Sequence, residues 1–126
     1  MRKTLNDLFD TSAGGLPGND DLGATSSWAV FAALGIYPEI PGVGGVTVNS
    51  PEFPSATLML GDHPLQIRAD GAPDKLYVQG LSLDVLPVQN WWIEWDKLKR
   101  AKVLEFSLSD QPNRQAGEAP PSFPPQ

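Results

Sequence analysis

The chain has 126 residues, with 9 lysines and arginines against 15 aspartates and glutamates and a formal net charge of −6. That is room for one domain of ordinary size, and its acidic surface repels phosphate backbones and anionic membranes, which argues against nucleic-acid and membrane partners. There is no cysteine and a single histidine, His63, which excludes disulfides, thiol nucleophiles, thiolate metal sites and a His-rich zinc site. No apolar run approaches the roughly 18 residues of a membrane span. Met1-Arg2-Lys3 leads into Thr4-Leu5-Asn6-Asp7 and not into an apolar core, so residues 1–15 do not read as a signal peptide. What remains is carboxylate, hydroxyl and aromatic chemistry.

The chain changes character near residue 40. Leu5, Leu8 and Phe9 have the spacing of a short amphipathic helix over residues 2–9, which ends before Gly14-Gly15-Leu16-Pro17-Gly18. A second helix runs from Leu22 to Leu34, with Asn19, Asp20 and Asp21 ahead of it as capping candidates and Gly35 after it as the C′ residue. From Trp28 to Leu34 every residue is apolar, and a helix apolar on all sides wants neighbours on all sides. After Pro41 the period changes from 3.6 to 2. Val46 and Val48, then Ala56, Leu58 and Leu60, then Leu65 and Ile67 alternate with other residues, with Gly61-Asp62-His63-Pro64 as a hairpin loop that exposes His63. The apolar phase slips from Leu76 and Val78 to Leu81, Leu83 and Val85, which predicts a β-bulge at Gln79-Gly80. Trp91 to Trp95 reads as a short strand, followed by one helical turn capped by Asp96 that carries Lys97-Leu98-Lys99-Arg100 as a solvated turn. Leu104, Phe106 and Leu108 form the last strand, and from Asp110 a tail with five prolines in 17 residues reads as an extended strap. The expected fold class is thus α+β: two stretches of helix, then five or six antiparallel strands with Leu58, Leu60, Leu65, Ile67, Leu81, Leu83, Phe106 and Leu108 facing inward. One sheet cannot satisfy Trp28, Val30, Phe31 and Leu34 together, so the chain reads as the end of something larger.

One cluster dominates the chemistry. Gly18-Asn19-Asp20-Asp21 sets two carboxylates and an amide oxygen at a helix start, where the dipole favours negative charge. Adjacent oxygen-only groups suit a hard cation such as Ca²⁺, and a carboxylate at a helix mouth suits a general base. The same residues also fit a plain helix cap with a glycine turn. Among the tryptophans, Trp91 and Trp95 share a face with Ile93 and read as core, which leaves Trp92 as the ring free to meet a sugar.

The run Gly15-Leu16-Pro17-Gly18-Asn19-Asp20-Asp21-Leu22-Gly23-Ala24-Thr25-Ser26-Ser27-Trp28, then Val30 to Pro38, resembles the signature near the C-terminus of glycoside hydrolase family 92. The likeness continues in order through Asn49-Ser50-Pro51-Glu52-Phe53-Pro54, Tyr77-Val78-Gln79-Gly80, Trp91-Trp92-Ile93 and Pro120-Pro121-Ser122-Phe123. These are Ca²⁺-dependent, inverting α-mannosidases built from an N-terminal β-sandwich and an (α/α)6 barrel. The resemblance implies that residues 1–38 end an incomplete barrel catalytic domain, that 39–109 form an antiparallel β-region, and that 110–126 form a Pro-rich extended tail. It implies Asp21 as the general base with Asp20 supporting it, Gly18 and Asn19 near substrate or metal, and Asp21 and Asn19 as part of a Ca²⁺ site. It also implies that the general-acid glutamate lies upstream, since Glu39, Glu52, Glu94, Glu105 and Glu118 stand in no matching context. The partner would be a mannose-containing glycan together with the missing barrel and β-sandwich of the same enzyme, and such enzymes are exported. Two other readings stay open at this point: a non-catalytic β-sandwich that binds carbohydrate through Trp92, and a truncated gene fragment without function.

Overall fold

The computed structural model describes residues 1–113. Two helices come first, α1 (Arg2–Leu8) and α2 (Ala24–Leu34). They touch through Phe9 and Trp28, whose rings stack with centroids 5.6 Å apart. The end of α2 is fixed by its neighbours. Gly35 takes φ 84°, and a side chain there would also strike Pro51 and the Asn49 carbonyl, so the position admits glycine alone. The carbonyls left over at this helix end are met by one segment: Asn49 Nδ2 donates to Ala32 O at 2.8 Å, Asn49 N to Gly35 O at 2.9 Å and Glu52 N to Ala33 O at 2.8 Å. From α1, Arg2 reaches the same segment, pairing with Glu52 at 2.5 Å and donating to Pro51 O.

The strands form two sheets. β1 (Ile36–Tyr37), β2 (Gly45–Val48) and β7 (Trp92–Glu94) make an antiparallel sheet in the order β1-β2-β7. β3 (Ser55–Leu60), β4 (His63–Arg68), β5 (Tyr77–Leu83), β6 (Leu86–Val88) and β8 (Val103–Ser109) make the second, in the order β3-β4-β8-β5-β6. A single turn of helix, α3 (Trp95–Leu98), sits between β7 and β8. Both sheets feed one core: Ile36, Val46 and Ile93 from the first meet Leu65, Ile67, Leu81, Leu104, Phe106 and Leu108 from the second, and α3 adds Leu98. The eight side chains expected to face inward do so, with Leu58, Leu60 and Leu83 packed at the margin of this core. The bulge stands where the phase slip put it, as a register shift between Val78 and Gly80.

Three expectations are corrected. The β-region is mixed, because β8 pairs parallel to β4 through Gln66↔Val103 and Arg68↔Glu105 while pairing antiparallel to β5. Alternation reports which face a side chain takes and says nothing of strand direction. The strands number eight among the described residues, since β1 and β6 are too short to show a period of two. Val85 does not face the core: Asp84 and Val85 form a two-residue hairpin turn with φ 48° and 66°, and Val85 is exposed. The first residues of the tail lie along the bulge, with Gln79 Nε2 donating to Gln111 O at 2.6 Å and Asn113 Nδ2 donating to Gln79 O at 3.2 Å. The rest of the expected strap lies outside the described residues.

Candidate active site at the mouth of the second helix

The first turn of α2 exposes backbone N–H groups that the helix itself cannot satisfy. The loop before it folds back to meet them. Ala24 N donates to Asp21 O at 3.3 Å and Thr25 N to Asp20 O at 3.2 Å. Ser26 N donates to Asp20 Oδ1 at 2.7 Å, and Ser26 Oγ donates to Asp20 Oδ2 at 2.9 Å. Both oxygens of Asp20 are therefore occupied in capping. Thr25 Oγ1 donates to Asn19 O at 3.2 Å, which ties the loop to the helix one residue earlier.

Asp21 is treated differently. Asp21, Leu22 and Gly23 all take left-handed conformations, with φ 46°, 61° and 90°. For an L residue with a Cβ this costs roughly 1–2 kcal/mol; aspartate tolerates it better than leucine does. The turn throws the Asp21 carboxylate outward, exposed, with no hydrogen bond or ion pair to it among the described residues. Leu22, beside it, is fully exposed. Two neighbouring carboxylates are thus separated by role, one spent on the helix and one left free. Strained, exposed backbone of this kind gathers at functional sites, and Leu22 is the member of the mouth that sequence reasoning missed. No signal in the residues pointed to it, because φ is not legible from a leucine. Gly18 is also left-handed (φ 66°) and faces open space, and Asn19 is exposed with its side chain unengaged among the described residues.

The mouth brings Gly18, Asn19, Asp20 and Asp21 together; it does not bring Trp92. That ring is a correction to the sequence reading. Trp92 is only 8% exposed, and a side chain at Gly45 would come within 2.2 Å of its Cζ2 atom, so the indole lies flat over the glycine strand. Alternation assigned Trp92 to an open face, but β7 is covered on both faces, since the adjacent Trp92 and Ile93 are both buried. Trp95 leaves the strand to start α3 and stays 42% exposed. His63 opens β4 next to Asp62, at 3.6 Å, and is partly exposed. Of the glutamates, Glu52 pairs with Arg2 and Glu94 with Lys97, while Glu105 lies exposed along β8; Glu118 lies outside the described residues. Among the described residues no group of three or more acidic or histidine side chains is placed to hold a metal ion.

Residues 1–110 match the glycosyl hydrolase family 92 catalytic domain. The chain belongs to glycosyl hydrolase family 92. Its fold is that of solved members: an inverting mannosidase of this family (BT2199) from Bacteroides thetaiotaomicron VPI-5482 superposes with a TM-score of 0.83 at 33% identity, over 98% of this chain and 17% of that one. The family α-mannosidase BT3965 of Bacteroides thetaiotaomicron superposes with a TM-score of 0.85 at 29% identity, over 97% of this chain and 17% of that one. An uncharacterized secreted glycosidase of Arthroderma benhamiae is 27% identical over 111 residues, 82% of this chain and 14% of its own length. This family 92 chain corresponds to the C-terminal portion of such enzymes and spans about one sixth of the length of the solved relatives.

Proposed function

We propose that this chain is the piece of an inverting α-mannosidase that carries the general base, acting on α-mannosidic linkages of mannose-rich glycans. The observation that carries the reading is the division of labour at the α2 mouth, where Asp20 is held by Ser26 and Asp21 stands free. Inverting hydrolysis needs a base to take a proton from water on one face of the sugar and an acid to protonate the leaving oxygen on the other. Asp21 takes the water proton; Asp20 fixes the loop that aims it and is a positioning residue. The acid is a glutamate supplied by the rest of the longer polypeptide, together with the barrel walls for which α2 is the terminal helix. Export of that polypeptide is in keeping with the secreted relative.

Calcium fits this mouth in kind and not in number. Asn19 and Asp21 offer the oxygen donors a hard cation takes, but Ca²⁺ takes about six to eight of them, and the described residues cluster no third carboxylate. The ion would grip neighbouring sugar hydroxyls, with Asn19 and Asp21 as two of its ligands and the remainder from the upstream polypeptide.

The test is a chimera in which residues 1–126 replace the equivalent segment of the solved α-mannosidase BT3965. Chelator-sensitive hydrolysis of an α-1,2-linked mannobiose is expected, with Asp21→Asn lowering turnover by at least about 10²-fold, the scale of general-base loss, and Asp20→Asn lowering it less. Near-unchanged turnover in the Asp21 variant would reassign the base. The chain by itself is expected to leave an aryl α-mannoside intact. A carbohydrate-binding module built on Trp92 finds no support, since that ring is covered.

A further inference from the structure

Four of the chain's 9 lysines and arginines fall between Lys97 and Lys102. Two are matched on the spot, Lys97 by Glu94 at 3.3 Å and Lys99 by Asp96 at 2.6 Å. The side chains of Arg100 and Lys102 have no hydrogen bond or salt bridge among the described residues, and Arg100 acts on Asp96 only as a minor influence behind Lys99. In a chain of net charge −6 these two make a local positive spot. They border two clefts that share His63, Lys99 and Arg100 and so form one continuous surface. The first, about 500 Å³, lies between the β3–β4 hairpin tip and α3, and is walled by Trp95 and Asp62. The second, about 610 Å³, lies between β4 and the start of β8, with Gln66 and Lys102 on its sides. Both volumes fall in the range of small-ligand sites, about 300–1,000 Å³. Neither cleft contains any residue of the Asn19–Asp21 mouth.

We propose that this surface binds an anionic saccharide, with the sugar ring against the Trp95 indole and its phosphate or carboxylate on Arg100 and Lys102. An exposed indole offers a flat apolar face to the C–H side of a pyranose. Asp62 and Gln66 offer acceptors and donors for ring hydroxyls. Arginine grips phosphate or carboxylate through two parallel N–H bonds, with lysine as a second point charge. A long polyanion would meet the acidic remainder of the molecule, so the ligand is a small one or a chain end. The proposal does not rest on the role of Asp21.

The test titrates the full chain with mannose 6-phosphate, glucuronate, inorganic phosphate and neutral mannose, followed by indole N–H shifts in ¹H–¹⁵N NMR. Saturable binding of the sugar phosphate or the sugar acid is expected with a dissociation constant of about 1 mM, and the tighter of the two names the anionic group. Neutral mannose and inorganic phosphate should each bind at least about fivefold more weakly, because each lacks one half of the contact. Trp95→Ala and the Arg100→Gln, Lys102→Gln double variant should each weaken binding about tenfold, and raising salt should weaken it further. Asp21→Asn should leave it unchanged. The proposal is overturned if neither sugar anion binds saturably. It is also overturned if inorganic phosphate or mannose binds as tightly, or if binding survives both surface variants while their spectra show the native fold.

Discussion

The helical beginning of this chain and its β-region solve the problem of burial in opposite ways. The two sheets cover each other: Leu65, Ile67 and Leu104 are wholly enclosed, and the strands around them, with Leu98 of α3, supply most of the core. α2 is apolar at every position from Trp28 to Leu34, yet Ala32 is its one buried residue, while Val30 stays 59% and Phe31 37% exposed. It is held to the sheets at its C-terminal end, by the carbonyl cap from Asn49 and Glu52, by Leu34 packed at the margin of the core and by the edge contact of Phe31 with Tyr37. The Asp20 cap at the other end ties it to its own preceding loop. Hydrophobicity of a segment therefore says what it wants to bury and not what this chain can bury it against. A helix so placed makes sense as one wall of a larger enclosure, and its free end carries the carboxylate that the proposed chemistry uses.

The contrast is sharpened or broken by stability measurements on the chain, by urea unfolding and circular dichroism. The largest effect is expected in the sheets: Leu104→Ala or Ile67→Ala should cost about 2–5 kcal/mol through transfer and cavity terms, while Val30→Ser should stay within about 0.5 kcal/mol, as for other exposed positions. Equal losses at both would break the comparison. Val30→Ser should also reduce any self-association of the chain, read by analytical ultracentrifugation. Next comes Gly45→Ala, where the new methyl meets the Trp92 ring and the Ile93 carbonyl; overpacking of this kind costs about 1–3 kcal/mol. At the helix mouth, Asp20→Ala should cost about 1 kcal/mol and reduce helical signal through loss of the cap, whereas Asp21→Asn should change neither, since the Asp21 carboxylate caps nothing and asparagine tolerates the left-handed conformation as aspartate does.

Leu22→Gly should stabilise by up to about 1 kcal/mol by removing the left-handed strain. The smallest effect concerns Asp10, whose carboxyl is held below its ordinary value of 3.8 by the Ser12 hydroxyl and then the Ser12 N–H. A depressed folded-state value means that this contribution is complete above the unfolded-state value and is lost as pH falls through the folded one. Asp10→Asn should thus leave the pH dependence of stability unchanged above about pH 5 and flatten it only below about pH 4. A changed slope near neutrality would show that another group is coupled to Asp10.

Periodicity and turn chemistry in the sequence determined which residues form the core strands, where the bulge at Gln79-Gly80 falls, where α2 stops, and that α2 lacks enough neighbours. These are local or face-by-face properties, set by side-chain spacing and by which residues tolerate a given φ. The run from Gly15 to Trp28 also determined the family, because a motif is a property of order alone. The parallel pairing of β4 with β8 was decided only in three dimensions, since strand direction depends on the long connection between them. So was the exchange of places between Trp92 and Trp95: β7 is covered on both faces, which buries Trp92 as well as Ile93, and Trp95 leaves the strand for α3. The separation of Asp20 from Asp21 was decided there too. Two adjacent aspartates are identical as letters, and what tells them apart is a Ser26 hydroxyl six residues on and a backbone turned left-handed at Asp21 and Leu22.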